Sequence, residues 1–208
     1  MERYKKSIGG FFMRNIRLQK MVEAAFMATI ALLLDLLPSI QLGPWISISF
    51  AMVPIFLIAY RWGLGTGILS GFIWAMLQLA IGDAYIVHPI QFILEYPIAF
   101  SAIGLAGVFA GHVKQLYLAG NRKKGSIYLV FGVLVGSLAR YFCHYLAGII
   151  WFGSNAPEGQ PAWLYSLIIN GTTWVGAFIF CAVVLILLLG VGPRLLKTNH
   201  ENNVEISS

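Results

Sequence analysis

The sequence predicts an all-α membrane protein with six transmembrane helices and both termini in the cytoplasm. Hydrophobic residues make up 59% of the 208 residues and charged residues only 11%, whereas soluble domains carry about 25% charged residues. Several apolar windows reach the roughly 20 residues that cross a hydrocarbon core. Lysine and arginine are concentrated in alternate connecting segments, the pattern that orients helices in a membrane.

The predicted helices divide the chain into three parts. A basic N-terminal segment at 1–20 precedes the transmembrane domain at 21–190, and a cytoplasmic tail at 191–208 follows it. No internal repeat is evident, so one domain accounts for the transmembrane region. Within this domain we predict helices at 21–37, 46–60, 64–82, 89–111, 126–152 and 162–190.

Positive charge alternates around these six helices. The three segments predicted to face outwards, 38–45, 83–88 and 153–161, contain no lysine or arginine. Basic charge beside a membrane also accounts for the net charge of +6 without nucleic-acid binding. The predicted cytoplasmic segments contain Arg3, Lys5, Lys6, Arg14, Arg17, Lys20, Arg61, Lys114, Arg122, Lys123, Lys124, Arg194 and Lys197.

Polar side chains inside a span are costly, about 2.5 to 3.5 kcal/mol for a central charge, and they often serve a function. Three of them are predicted to share one depth. With the fourth helix starting at Pro89, Glu95 lies about 9 Å below the outer surface. His144 on the fifth helix and Asn170 on the sixth lie roughly 12 Å below it. This agreement predicts a ligand pocket that opens outwards.

Aromatic residues surround this predicted pocket. Aromatic faces together with a carboxylate suit a flat cation, through cation–π attraction and ion pairing. A histidine and an asparagine add hydrogen bonds that orient a heteroaromatic ring. The aromatic residues at or near this level are Trp45, Tyr85, Tyr96, Trp151, Trp163 and Tyr165.

Structural roles remain open for each of these residues. The aromatic side chains fit an interfacial belt, and His144 fits a hydrogen bond to a neighbouring helix. Glu95 could form an ion pair with Arg140, which lies one turn deeper than His144. Asp35 is expected to be solvated or capping, and Gln78 to make an interhelical hydrogen bond.

Catalysis and metal binding have little support in the sequence. Cys143 and Cys181 both lie in apolar spans, where a thiol is expected to serve as a small packing residue. No nucleophile–base pairing or metal-ligand spacing is present. We therefore expect a protein that is not an enzyme and that carries no cofactor and no metal.

Five motifs carry a resemblance to a known family, and the resemblance covers nearly the whole chain, from the first helix to the sixth. In their order and spacing they resemble the thiamine-specific S components, the substrate-binding subunits of energy-coupling factor (ECF) vitamin transporters. The motifs are GPW at 43–45, GDAYI at 82–86, LEYP at 94–97, RYFCHYLAGIIWFG at 140–153 and YSLIING at 165–171.

The resemblance implies a multi-pass protein of a bacterial cell membrane that captures thiamine from outside. Its implied partners are a transmembrane coupling subunit and two cytoplasmic ATPase subunits, which hydrolyse the ATP. The S component itself would have no enzymatic activity. The substrate-binding residues that the resemblance implies are Glu95, Tyr96, His144, Tyr165 and Asn170, together with Trp45 and Tyr85.

Two features depart from the family pattern. The stacking tryptophan of the family lies one position later, where this chain has Phe152, so we select Trp151 for this role and keep Phe152 as its competitor. On the first helix, the small-residue face that contacts the coupling subunit has two possible phases. These are Ala24–Ala28 and Ala25–Thr29, and packing within the bundle is the alternative for both.

Three other functions compete with this interpretation. The first is an S component for another vitamin or precursor. The second is a stand-alone secondary transporter driven by an ion gradient, with Glu95 or His144 carrying a proton. The short chain and the absence of an evident inverted repeat argue against it. The third is an intramembrane enzyme that uses Glu95 and His144 as acid and base.

Overall fold

The computed structural model describes residues 2–37, 40–41 and 47–198, with the side chains of 16–37 and 49–198. The fold of these residues is a bundle of six helices. The helices are α1 (Glu2–Asp35), α2 (Val53–Trp62), α3 (Leu64–Ile81), α4 (Pro89–Leu118), α5 (Arg122–Trp151) and α6 (Ala162–Val191).

The lengths of the helices and the apolar surface of the bundle suit a membrane. In the described part of the chain, α3, α4, α5 and α6 are long and apolar enough to cross one. Large apolar side chains cover the outside of the bundle, among them Phe26, which is 62% exposed, and Leu187, which is 64% exposed. Such a surface matches lipid rather than water. The prediction of an all-α, multi-pass membrane protein is confirmed.

The second helix begins later than predicted. Ser47–Ile48 (β2) pairs with Ile40–Gln41 (β1) in a two-residue antiparallel ladder. α2 then starts at Val53, with Pro54 in its first turn, where the N–H that proline lacks has no helical partner in any case. Paired residues of a strand cannot also be helical, so the prediction of a helix from residue 46 was wrong.

Helices also extend beyond the predicted hydrophobic spans. α4 continues to Leu118 instead of ending at 111, and α5 starts at Arg122 instead of 126. The turn between them contains Gly120, with φ of +78°, and Asn121, whose Oδ1 accepts a hydrogen bond from the N–H of Lys124 at 3.4 Å. Basic residues are good helix formers in water, so a helix does not stop where the apolar pattern stops.

The packing of α3 against α4 depends on glycine. Gly67 and Gly71 on α3 face Gly104 and Phe100 on α4, and the two backbones touch without intervening side chains. A Cβ atom at Gly71 would lie 2.1 Å from the carbonyl oxygen of Phe100. In a membrane, apolar side chains gain little by moving from lipid into a helix interface. Van der Waals packing between closely spaced backbones therefore contributes much of the association between helices.

Polar links join α1 to the rest of the bundle. Near one end, Nε2 of Gln78 on α3 donates a hydrogen bond to the carboxylate of Asp35 on α1. The prediction of an interhelical hydrogen bond for Gln78 is thus confirmed. Further along α1, Oγ of Ser70 donates to the carbonyl oxygen of Ala24 at 2.8 Å.

At the other end of the bundle from Asp35 and Gln78, Arg61 links α1 to the C-terminal segment by hydrogen bonds. Its Nε and Nη2 donate to the carboxylate of Glu23 on α1 at 2.7 and 3.2 Å. Its Nη1 donates to the carbonyl oxygens of Leu195, at 2.7 Å, and Lys197. We call this end, with the α2–α3 turn, the α4–α5 turn and residues 192–198, the basic end.

The glycine contacts predict that alanine substitutions on α4 change the free energy of unfolding by different amounts at different positions. Gly104→Ala should destabilise the protein by about 1 to 3 kcal/mol through overpacking, because its Cβ would lie 2.2 Å from the backbone nitrogen of Ile68. Gly111→Ala on the same helix meets no atom within 4 Å and should be neutral or slightly stabilising. Thermal unfolding in detergent measures both, and equal melting temperatures would contradict the prediction.

Candidate functional site

A cavity of about 320 Å³ opens at the end of the bundle opposite the basic end, where α4 and α6 begin and α5 ends. We call this the cavity end. Most of the candidate residues predicted from the sequence line this one space. The lining residues are Tyr85, Glu95, Tyr96, His144, Gly148, Phe152, Asn155, Tyr165, Ser166, Ile169 and Asn170.

Glu95 is placed by an irregular turn of α4. Leu94–Ile98 forms a π-helical turn, with regular α-helix on either side of it, and Pro97 lies inside the turn. Proline has no N–H to donate, and its ring clashes with the carbonyl four residues earlier in a regular α-helix. The wider turn relieves this conflict, and such turns often occur at functional sites. Pro97 is thus accommodated inside α4 without ending the helix.

The carboxylate of Glu95 has a separate partner for each oxygen. Oε1 lies 3.2 Å from Nδ1 of His144 on α5, and Oε2 accepts a hydrogen bond from Nε2 of Gln91, one turn earlier on α4. The two interacting side chains are mostly buried, with 14% of Glu95 and 19% of His144 exposed. The carboxylate is thus oriented by protein groups and still borders the cavity.

The hydrogen bonds assign the protonation of His144. Nε of Arg140 donates to Nε2 of His144 at 3.4 Å, so Nε2 carries no hydrogen. A neutral imidazole then has its one N–H at Nδ1, where it donates to Glu95. The imidazole of His144 thus lies between Arg140 and Glu95, and Glu95 is the acidic side chain that lines the cavity.

Arg140 itself lies behind His144, away from the cavity lining. Its guanidinium carbon is 4.3 Å from the ring centre of Phe100, 5.0 Å from that of Trp74 and 5.7 Å from that of Tyr141. Aromatic faces attract a cation within about 6 Å. The direct Glu95–Arg140 ion pair that the sequence left open is replaced by a chain in which His144 joins the two.

Tyr85 and Tyr96 form one wall of the cavity. The N–H of Tyr85 donates to Oη of Tyr96 at 2.7 Å, and the carbonyl oxygen of Tyr85 accepts from Nε2 of Gln91 at 3.0 Å. The Tyr96 ring stacks between Phe92 and Phe100, with centroid separations of 5.6 and 5.8 Å. The loop before α4 is therefore hydrogen-bonded to the helix that contains Glu95.

The opposite wall comes from the contact between α5 and α6. Nδ2 of Asn170 donates to the carbonyl oxygen and to Oγ of Ser166, both at 3.2 Å, and Oγ of Ser166 donates to the carbonyl oxygen of Tyr145 at 2.8 Å. These bonds occupy the amide nitrogen and leave the amide oxygen of Asn170 for a ligand. Gly148 permits this contact, because a Cβ there would lie 2.2 Å from Oγ of Ser166.

The two candidates for the stacking residue at the end of α5 occupy different positions in the structure. Phe152 lines the cavity, with its ring 6.1 Å from that of Tyr85. Trp151 turns away and stacks on His88 at 5.8 Å. Phe152 lies directly after the last residue of α5, with φ of −116° and ψ of 10°, so its side chain does not continue the helical direction of Trp151. Trp45 lies outside the described residues.

Sequence reasoning missed several lining residues. Gly148, Ser166, Ile169 and Asn155 were not among the candidates. Two of them had a usable signal: Gly148 lies four residues after His144, and Ser166 lies four residues before Asn170. Residues at this spacing share a helix face.

The two small-residue phases on α1 have different environments. Ala24 and Ala28 are fully buried inside the bundle, the packing role that the sequence left open as the alternative to contact with a partner subunit. Ala25 and Thr29 are exposed on the outer side of α1. Oγ1 of Thr29 donates to the carbonyl oxygen of Ala25 at 3.0 Å, so this polar group is satisfied within the helix and suits an apolar surface.

Among the described residues, no group of three or more histidine, cysteine or acidic side chains could hold a metal ion. Cys143 and Cys181 are buried, free thiols. The residues that line the cavity provide a carboxylate, hydrogen-bonding groups and aromatic rings.

Three sequence matches to known proteins, all described as thiamine transporters, cover most of the chain. The family model described as thiamine transporter protein matches residues 21–197. Thiamine transporter ThiT of Bacillus subtilis (strain 168) is 41% identical over 185 residues, which cover 88% of this chain and 96% of that protein. ThiT of Lacticaseibacillus paracasei is 35% identical over 177 residues, covering 84% and 88%.

A solved structure gives the same result for the fold. ThiT from Listeria monocytogenes matches with a TM-score of 0.83 at 35% sequence identity, covering 86% of this chain and 98% of that one. The sequence match and the shared fold thus extend over almost the full length of the relatives. The chain belongs to the thiamine transporter protein family.

Proposed function

We propose that this protein is a thiamine-binding S component of an ECF vitamin uptake transporter and that it captures thiamine from the extracellular side. The observation that carries the proposal is the cavity itself, in which a mostly buried carboxyl group meets an imidazole and aromatic rings. Family membership supports thiamine over other cations, because the relatives are named as thiamine transporters.

The chemistry of thiamine matches this cavity. Thiamine joins a permanently cationic thiazolium ring to a neutral aminopyrimidine ring, so it needs one negative charge and several hydrogen-bonding groups. A volume of about 320 Å³ is at the lower end of the range for small-molecule sites, about 300 to 1,000 Å³. Glu95 would balance the positive charge of the ligand.

The other lining residues would orient the two rings. Asn170 and Tyr165 would hydrogen-bond polar edges, while His144 and Phe152 would contact ring faces. Trp45 remains a proposed second stacking residue from the first outer loop. The amide oxygen of Asn170 suits an amino group, because an amide oxygen accepts hydrogen bonds.

Transport would require partner subunits. The proposed role is binding without chemical change of the ligand, with ATP hydrolysed by two cytoplasmic ATPase subunits. A transmembrane coupling subunit would contact the outer face of α1 at Ala25 and Thr29, where small side chains allow close helix approach. The exposure of both residues supports this location.

The charge of Glu95 should dominate thiamine affinity. We expect the purified protein to bind thiamine with measurable heat and tryptophan quenching, and Glu95→Gln to weaken binding by about 2 kcal/mol or more, roughly thirtyfold, because an unpaired charge in a buried pair is costly. Glu158→Gln, in the exposed loop between α5 and α6, is the matched control and should bind normally.

Calorimetry with thiamine distinguishes the outcomes of that experiment. Absence of binding by folded wild-type protein would overturn the substrate assignment. Equal affinities of wild type and Glu95→Gln would remove Glu95 from the site.

The two aromatic residues at the end of α5 should differ in their contribution to binding. Phe152→Ala should weaken thiamine binding by about 0.5 to 2 kcal/mol, the range for a cation against an aromatic face, because Phe152 lines the cavity. Trp151→Ala should have a smaller effect, since this ring stacks on His88. A larger loss of affinity for Trp151→Ala in the same calorimetric assay would reverse the assignment.

The dependence on partners can be tested in vesicles. Vesicles that contain this protein alone should accumulate no radiolabelled thiamine, with or without a proton gradient. Vesicles with the coupling and ATPase subunits should accumulate it when ATP is present. Uptake by the protein alone, driven by a proton gradient, would instead support a secondary transporter.

A further inference from the structure

A cationic and apolar surface lies on α5 at the basic end, far from the cavity. The first turn of α5 holds three consecutive basic residues, Arg122, Lys123 and Lys124, and all three are exposed. None of them has an acidic partner among the described residues. Positive charge in the first turn of a helix is opposed by the helix dipole, so the dipole does not account for the cluster at this position.

A shallow apolar groove begins directly beyond these cations on the same helix. It has a volume of about 300 Å³ and an almost entirely apolar lining. Ile127 and Phe131 are 55% and 53% exposed. The residues that line the groove are Ser126, Ile127, Val130, Phe131 and Leu134.

The charges and the groove share one face of α5. At 100° per residue, Lys123 points in the middle of the arc formed by the groove residues, and Lys124 lies near the direction of Phe131. The groove extends about 12 Å along the helix axis from Ser126 to Leu134 at 1.5 Å per residue. One leaflet of a bilayer has a hydrocarbon depth of about 15 Å, half the thickness of the core.

We propose that this surface binds one anionic phospholipid of the inner leaflet. The phosphate of the lipid would lie against Lys123 and its two basic neighbours, and one acyl chain would lie in the groove. Charge complementarity favours an anionic headgroup, since clusters of basic residues at the cytoplasmic end of a helix attract such lipids. The continuous apolar groove below the charges favours a lipid over the acidic surface of a protein, which would have no group to fill it.

The site is independent of the proposed thiamine function. It lies at the basic end, whereas the cavity lies at the opposite end of the same helix, and the two have no lining residue in common. Loss of lipid binding would leave thiamine affinity unchanged, and loss of thiamine binding would leave the lipid site intact.

Native mass spectrometry of the delipidated full-length protein can test the site. The protein is titrated in detergent with dioleoyl phosphatidylglycerol or with dioleoyl phosphatidylcholine. We expect the anionic lipid to bind about tenfold more tightly. The variant R122Q/K123Q/K124Q should lose this preference, while the control R17Q/K20Q/R194Q, which removes the same charge elsewhere at the basic end, should keep it.

The groove is tested separately. The variant I127A/F131A should bind both lipids severalfold more weakly and still prefer the anionic lipid, because it retains the cations. Unchanged thiamine binding and melting temperature establish that each variant is folded.

Four outcomes would overturn the proposal. These are equal affinity of the wild type for the two lipids, an unchanged preference in R122Q/K123Q/K124Q, an unchanged affinity in I127A/F131A, and displacement of the lipid by inorganic phosphate at equal concentration. If the triple variant keeps its lipid preference but no longer assembles with the coupling and ATPase subunits, the surface is a protein interface instead.

Discussion

A carboxylate inside a membrane-spanning helix must find, within the protein, the interactions that water would otherwise provide. Glu95 does so through Gln91 on its own helix and His144 on α5. His144 is in turn bonded to Arg140, whose guanidinium is enclosed by aromatic rings. A charge in a medium of low dielectric constant is costly unless it is paired and hydrogen-bonded. This chain of three side chains satisfies that requirement and still leaves the negative charge beside the cavity.

The helices around Glu95, His144 and Arg140 fix the positions of these three side chains. α4 presents Glu95 through a π-helical turn, and glycine contacts with α3 fix the part of α4 that follows. α5 presents His144, and Gly148 brings α6 close enough for Asn170 to bond back to Ser166. Backbone contact through glycine gives these helices a defined separation, so the polar groups of three helices meet with little freedom to move apart.

The two ends of the bundle differ in the chemistry of their residues. The cavity end gathers acidic, amide and aromatic groups that suit a small cation. The basic end gathers Arg61, its bonds to the C-terminal segment and the cations of α5. Opposite charge at the two ends agrees with the positive-inside pattern, and it places the cavity and the proposed lipid surface at different ends of the bundle.

The sequence by itself determined the class of the protein, the approximate spans and the depth shared by Glu95, His144 and Asn170. These follow from hydropathy and from the constant rise of a helix, which are local properties. It did not determine that α2 starts only at Val53, because strand pairing across a loop is not local. Only the tertiary structure decided that Phe152 rather than Trp151 lines the cavity, that Ala24 and Ala28 are buried, and that His144 stands between Glu95 and Arg140. Each of these depends on the rotation of one helix relative to its neighbours, and packing between helices sets that rotation.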